Sequence, residues 1–140
     1  MNYKILTKYI KDLSFEIPEA KSYFLLENNI KNYRFTCDIK SKKIKENIIQ
    51  VDVNLKLTPI EKSVNKNIYV GVELAALVKI EEKTKKEELE KIVLIKVPED
   101  IYPDIRSIIV FLFDKSGFKK VNIDEKIDFS KLYETRKAQK

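Results

Sequence analysis

Four stretches of the sequence alternate between apolar and polar residues, which is the pattern of half-buried β-strands. The most regular runs from Ile49 to Thr58, and the others span residues 12–17, 33–40 and 67–81. Because the connections between them are short, we expect a four-stranded antiparallel sheet in meander order. One face of this sheet should be apolar and buried, and the other polar and open to solvent.

The first strand places its acidic residues on the polar face. Successive side chains of a strand point to opposite faces, so Asp12 and Glu16 lie opposite Leu13 and Phe15. Pro18 ends this strand, because proline cannot donate a hydrogen bond to a neighbouring strand. Asp12 and Glu16 are therefore predicted to share the solvent-exposed face.

Helical periodicity replaces the alternation after residue 83. Thr84 followed by Glu87 has the spacing of a capping box, which predicts the start of a helix. We expect this helix to end before Pro98, because proline interrupts the interior of a helix.

A second helix is predicted from Pro103, since the missing N–H of proline is not needed in a first helical turn. Its apolar residues follow a period of 3.6 and are Ile105, Ile108, Ile109, Leu112 and Phe113. Gly117 suits the position just beyond the end of this helix. A last helix is expected to begin at Asp128 or Ser130, and the lysine-rich tail 135–140 is expected to fray.

Strands followed by helices define an α+β fold. The chain has 140 residues, of which 44% are hydrophobic, a length and composition that suit one folded unit. With no internal repeat and no low-complexity linker, we predict a single domain over residues 1–140.

Several residue types that enzymes and metal sites use are missing or scarce. The chain has no histidine, and Cys37 is its one cysteine, so a catalytic triad or a zinc site cannot be assembled in the usual way. Gly71 and Gly117 are its two glycines and stand far apart, which excludes a phosphate-binding glycine-rich loop. Asp12 and Glu16 would lie about 13 Å apart along a strand, beyond the usual spacing of glycosidase carboxylates. We therefore expect no enzymatic activity, no metal and no cofactor.

The charge balance leaves a second class of function open. Lysine and arginine number 28 against 22 acidic residues, a net charge of +6, which is compatible with a basic β-rich nucleic-acid module. The basic residues are spread along the chain, however, and Tyr33 and Phe35 share a face with Cys37, which favours burial over base stacking. We therefore expect a solvated lysine-rich surface and no nucleic-acid partner. A small-ligand binding or enzymatic α+β domain is a third interpretation that nothing in the sequence requires.

No stretch approaches the roughly 20 consecutive apolar residues that span a bilayer. The first residues also lack the continuous apolar segment of a signal peptide. The sequence therefore predicts a soluble, cytoplasmic protein that does not insert into a membrane.

Four short motifs stand in a fixed order along the chain. They are Tyr9-x-Lys11-Asp12-x-Ser14-Phe15-Glu16-x-Pro18, then Pro98 with Tyr102, Pro103 and Arg106, then Ser116-Gly117-Phe118, and finally Ile127-Asp128-Phe129-x-x-Leu132-Tyr133. In this order they resemble the SecB family of bacterial protein-export chaperones. The resemblance implies a homotetramer, a dimer of dimers, that holds unfolded preproteins without ATP and passes them to the SecA translocase.

The resemblance also implies roles for individual residues. The client-binding groove would be lined by Leu26, Ile30, Phe129, Leu132 and Tyr133, although all five could instead be ordinary core residues. The SecA-docking surface would include Asp12, Glu16 and Tyr69, and the oligomer interface would include Val70, Val72 and Leu74.

Some positions depart from the family pattern. Gly71 stands where the family has another docking acid, Lys119 stands where it usually has proline, and the net charge is positive rather than negative. These departures bear on SecA docking rather than on the fold. They leave open a divergent SecB-like chaperone that protects other clients, such as an antitoxin.

Overall fold

The computed structural model describes residues 2–28, 33–59, 69–118 and 123–138. Its strands are β1 (Tyr3–Glu16), β2 (Tyr33–Lys45), β3 (Ile48–Pro59) and β4 (Tyr69–Ile80). Its helices are α1 (Ala20–Asn28), α2 (Lys86–Lys91), α3 (Val97–Lys115) and α4 (Phe129–Ala138), and a π-helical segment (Ile92–Lys96) joins α2 to α3. The strands form one antiparallel sheet, and the predicted α+β fold class is confirmed.

The order of the strands across the sheet is β1-β4-β3-β2. The predicted meander holds for β2, β3 and β4, but β1 pairs with β4 and not with its neighbour in sequence. Helix α1, which the sequence reasoning treated as part of a connection, separates β1 from β2. The chain can therefore cross to the far edge of the sheet instead of returning in a hairpin.

The sheet has an inner face that carries the helices and an outer face that does not. Residues paired across strands share a face, and pairs such as Val53 with Leu74 and Leu55 with Val72 lie on the inner face, at most 3% exposed. Helix α3 covers this face with side chains that are 0–1% exposed, namely Ile101, Ile105, Ile109 and Phe113. The outer face carries the alternate residues, as the period of two requires.

The helical run from Lys86 to Lys115 continues through Pro98, which corrects the expected break. The π-helical segment changes the hydrogen-bonding register immediately before Pro98, so the proline occupies the first turn of α3, where its N–H is not needed. The capping box is also corrected, because the Thr84 hydroxyl donates to the Glu81 carbonyl at 2.7 Å and Lys85 holds the N-cap position without a side-chain bond.

The C-terminal end of α3 and the start of α4 follow the sequence prediction. Gly117 has a φ of +83° beyond the end of α3, and Phe118 N–H donates to the Phe113 carbonyl at 3.1 Å, which makes a Schellman motif. The Asp128 carboxylate accepts the Lys131 N–H at 3.0 Å and caps α4. Helix α4 then extends to Ala138, into the tail expected to fray, and residues 139–140 lie outside the described residues.

Candidate functional site

The outer face of β1 and β4 collects the predicted docking residues. Asp12 pairs with Glu73, and Glu16 pairs with Tyr69, so all four side chains lie on this face. Tyr69 is 58% exposed. Glu73 is a carboxylate that the sequence reasoning did not single out, although the alternation along β4 places it on the face of Tyr69. The structure thus brings Asp12, Glu16 and Tyr69 together and adds a further acid.

A buried polar network lies next to this acidic group. The Asp52 carboxylate, whose side chain is 7% exposed, receives the Lys11 ammonium at 2.7 Å and the Gln50 amide at 2.8 Å. The hydrogen bond to Asp52 raises the pKa of Lys11. Lys11 is the unpaired residue of a register shift in β1, and its side chain reaches across β4 to β3. The Lys11–Asp52 ion pair therefore links edge strand β1 to β3 at the register shift that immediately precedes Asp12.

Most of the predicted client-groove residues belong to the core of the chain itself. Leu26, Phe129 and Tyr133 are 0%, 1% and 6% exposed. The Phe129 ring packs 6.1 Å from the Tyr102 ring in an edge-on arrangement. Leu132 differs, since it is 44% exposed. Ile30 lies outside the described residues.

An exposed aromatic residue on α1 was missed by the sequence reasoning. Phe24 is 59% exposed, while its neighbour Tyr23 packs against Phe118 with ring centroids 4.9 Å apart. The signal was weak because four consecutive apolar or aromatic residues, 23–26, show neither strand nor helix periodicity.

Edge strand β2 carries a half-buried apolar strip on the inner face. The strip consists of Phe35, Cys37 and Ile39, and burial raises the pKa of the Cys37 thiol to about 11. Helix α4 lies beside this strip, because Arg136 contacts Asp38 at 3.4 Å. Leu132 on the same helix therefore adds an exposed apolar side chain near the strip.

The residues expected at an oligomer interface face the interior instead. Val70, Val72 and Leu74 are at most 3% exposed in the single chain and pack under α3, so they offer no side-chain surface to a second copy. A group of exposed apolar residues lies instead on edge strand β1 and on α3. Leu6, Ile10 and Leu13 on β1 are 42–51% exposed, and Val110 and Phe111 on α3 are 38% and 58% exposed.

Helix α3 runs alongside β1, which places these apolar residues close together. Tyr3 donates to Asp100 at 2.5 Å, and the Phe15 ring lies 5.1 Å from the Phe113 ring, so both ends of the strand contact the helix. Phe111 is eleven residues, or three helical turns, after Asp100 and therefore falls on the same side of α3. The edge of β1 and this side of α3 form one apolar border.

A cleft of about 400 Å³ lies between α3 and the segment before α4. Its lining mixes apolar and charged residues, which are Glu99, Tyr102, Pro103, Glu125, Lys126, Ile127 and Phe129. Within the described residues no group of three metal-ligating side chains is present. Among the same residues, no helix is long and apolar enough to span a membrane.

The family model for the preprotein translocase subunit SecB matches residues 1–140. The chain belongs to the SecB family. A relative from Pelagibacter ubique (strain HTCC1062), which is named as a protein-export protein SecB, is 37% identical over 136 residues, or 96% of each chain. A protein-export protein SecB of Burkholderia vietnamiensis is 28% identical over 137 residues, 98% of this chain and 84% of that protein.

A solved structure of a SecB-like chaperone shows the same fold. This protein of Mycobacterium tuberculosis, in complex with a ChAD peptide of an antitoxin, has a TM-score of 0.64 and covers 90% of this chain and 88% of that one. The two sequences are 14% identical, so the likeness concerns the fold alone. This chain combines that fold with a net charge of +6 and with uncharged Gly71 between the acidic residues of its outer face.

Proposed function

We propose that this chain is an ATP-independent chaperone that binds unfolded preproteins in the cytoplasm and delivers them to the SecA translocase. The single observation that carries the proposal is the match to the SecB family over all 140 residues. The relatives at 37% and 28% identity are named as protein-export proteins. We further propose that residues 1–140 act as one chaperone domain, and that it works by binding, without catalysis or a cofactor.

The client surface that the structure favours lies along β2. Phe24 and Leu132 are exposed, and Phe35 and Ile39 are partly buried on the inner face of this strand. An unfolded chain presents scattered apolar side chains, so a shallow apolar surface can hold many sequences through area rather than through specific hydrogen bonds. As an edge strand, β2 also has backbone groups that can pair with an extended segment.

The assembly that we propose is a homotetramer built as a dimer of dimers. Edge strand β1 offers unpaired backbone groups and the apolar side chains of Ile10 and Leu13. Pairing of two copies along β1 would extend the sheet within its plane and cover Phe111. The outer face would stay free, because edge pairing adds strands without covering either face.

We propose that the outer face docks SecA through Asp12, Glu16, Glu73 and Tyr69. The three carboxylates lie on the same sheet face as Tyr69, and together they can bind a basic partner. Gly71 adds neither charge nor a side chain between Glu73 and Tyr69, and a Cβ there would lie 3.4 Å from the Lys56 Cβ, in ordinary contact.

The proposal is tested by dilution of a chemically unfolded preprotein into the purified protein without nucleotide, with light scattering as the readout. We expect suppression of aggregation near one tetramer per client. Phe24→Ser combined with Leu132→Ser should weaken suppression, whereas Ile44→Ser should preserve it. Ile44 is a matched control because it is 45% exposed but lies at the far end of β2, beyond the strip of Phe35, Cys37 and Ile39.

Absence of suppression at several-fold excess would contradict a general holdase. The structural neighbour was solved with an antitoxin peptide, so a chaperone restricted to such a client is the second candidate. That candidate predicts suppression of aggregation for an antitoxin and not for unfolded preproteins.

A further inference from the structure

The outer face of the sheet has a strongly basic end, separate from the acidic docking residues. Cross-strand register places Lys4 opposite Lys79, Lys79 opposite Ile48, and Ile48 opposite Lys45, so three lysines lie in one row across the four strands. The next two rows on this face end in Lys42, opposite Gln50, and in Lys40, opposite Asp52. We call these five residues, Lys4, Lys40, Lys42, Lys45 and Lys79, the basic band.

The basic band has no internal explanation in the folded chain. Like charges directly opposite each other destabilise a strand pair, yet Lys4 and Lys79 are direct partners on β1 and β4. All five side chains are exposed, and none forms an ion pair within the described residues. The carboxylates at the rim are Glu46 in the hairpin turn and Glu81 and Glu82 after β4, so lysines exceed acids at this end of the sheet.

Exposed apolar side chains flank the basic band on both edge strands. Leu6 is the unpaired residue of a register shift in β1 beside Lys4, and Ile44 is the unpaired residue of a shift in β2 beside Lys45. They are 46% and 45% exposed. Lysines with exposed aliphatic residues at their border are typical of surfaces that rest on a lipid headgroup layer.

We propose that the basic band is a docking surface for an anionic lipid membrane. Four adjacent strands about 4.8 Å apart carry these rows, which follow each other about every 7 Å on one face. An exposed cationic surface of long lysine side chains is complementary in charge to a layer of phosphate headgroups. Nucleic acid fits less well, because single strands need aromatic side chains among the basic ones, and Tyr9 is the one aromatic residue on these rows within the described chain.

The basic band is distinct from the surfaces of the proposed chaperone function. On β1 and β4, the row of Thr7 with Leu77 and the row of Tyr9 with Ala75 separate Lys4 and Lys79 from Asp12 and Glu73. Client capture is assigned to the inner face of β2, and edge pairing along β1 would leave the outer face open. Membrane docking therefore does not depend on the proposals for client capture and for edge pairing. If vesicle binding is not observed, those two proposals are unaffected.

The test is cosedimentation of the full chain with vesicles of phosphatidylcholine and phosphatidylglycerol in equal parts. Each lysine near an anionic surface changes partitioning by about fivefold, so Lys4→Gln, Lys42→Gln and Lys79→Gln together should weaken binding by about a hundredfold. The matched control carries Lys21→Gln, Lys86→Gln and Lys131→Gln, which lowers the net charge equally but on helices α1, α2 and α4. We expect the control to bind within a few-fold of the natural sequence.

Binding to mixed vesicles but not to pure phosphatidylcholine, lost in the basic-band variant alone, would support the proposal. Equal loss in both variants would overturn it, because binding would then follow net charge rather than this surface. Failure of the natural sequence to bind mixed vesicles would also overturn it. Tight binding to a single-stranded RNA oligonucleotide through the same lysines, without vesicle binding, would replace it with a nucleic-acid surface. Far-UV circular dichroism and the urea midpoint, measured alongside, show that each variant is folded.

Discussion

Substitution by alanine is expected to have different consequences at two phenylalanines of α3. Phe113 is 1% exposed, and its ring makes edge-on contacts with Phe15, Phe35 and Phe118 at centroid distances of 5.1, 6.3 and 5.2 Å. Phe111 is two residues away and 58% exposed. Replacement of either by alanine removes the same atoms and changes helix propensity equally. The difference between the two variants therefore reports burial.

The expected magnitude follows from this geometry. Loss of a fully buried phenylalanine costs about 3–5 kcal/mol, because it combines lost transfer free energy with a residual cavity. For a chain of this length that loss lowers the Tm by roughly 10–15 °C. Phe111→Ala should change the intrinsic free energy of unfolding by no more than about 0.5 kcal/mol. Since Phe111 lies on the apolar border proposed for pairing, this variant should instead weaken assembly.

The assay is urea unfolding followed by circular dichroism over a series of protein concentrations. Phe113→Ala should lower the midpoint at every concentration. Phe111→Ala should match the natural sequence at the lowest concentration and fall below it as concentration rises, because assembly stabilises the folded chain by mass action. Equal destabilisation by both variants at the lowest concentration would refute the assignment of the two helix faces.

Three further results are expected. Asp12→Lys with Glu16→Lys should abolish SecA binding in a pull-down while client capture is unchanged, and unaltered SecA affinity would remove these acids from the docking surface. Gly117→Ala should cost about 1–2 kcal/mol in urea unfolding because of its positive φ, and more where the new Cβ meets the Tyr23 hydroxyl at 2.9 Å; a stability equal to that of the natural sequence would contradict the turn geometry. Burial raises the pKa of Cys37 from 9.0 to about 11, so the unfolded chain ionises first and stability falls between about pH 9 and pH 11. Cys37→Ala should lack the part of this loss that is due to the thiol, so its stability should fall less than that of the natural sequence over the same range; identical pH profiles would contradict the burial of the thiol.

Strand patterning predicted the faces of the sheet well, because side-chain period in a strand is strictly two. Asp12 and Glu16 lie on the outer face as expected, opposite Phe15, which packs against Phe113. Local turn chemistry was informative at two helix ends, since the positive φ of Gly117 and the cap at Asp128 depend on neighbouring backbone groups only. The capping box expected at Thr84 was wrong.

Features that depend on distant parts of the chain were not predictable in this way. Alternation shows that Val70, Val72 and Leu74 share a face, but it does not show whether the chain's own helix or a second copy covers that face. In the structure α3 covers it. Likewise, Pro98 predicts a helix end by local rules, whereas a π-helical segment before it keeps the helical run intact. Phe24 was missed because α1 has no clear periodic stripe.

The charge pattern of the outer face illustrates the same limit. In the sequence three lysines of the basic band lie within residues 40–45, but Lys4 and Lys79 are far from them. Only the register of β1 against β4 and of β3 against β2 brings them into neighbouring rows. Sequence clustering therefore underestimates charge clustering on a sheet.

The most direct test of the chaperone function compares two states of one preprotein. The folded and the chemically unfolded form are each titrated into this protein without nucleotide, and fluorescence anisotropy reports the affinity. A holdase should bind the unfolded form tighter by about a hundredfold or more, a difference of roughly 2.7 kcal/mol, since the folded form hides its apolar side chains. Equal affinity for both forms, or no binding to the unfolded form, would contradict the proposed function.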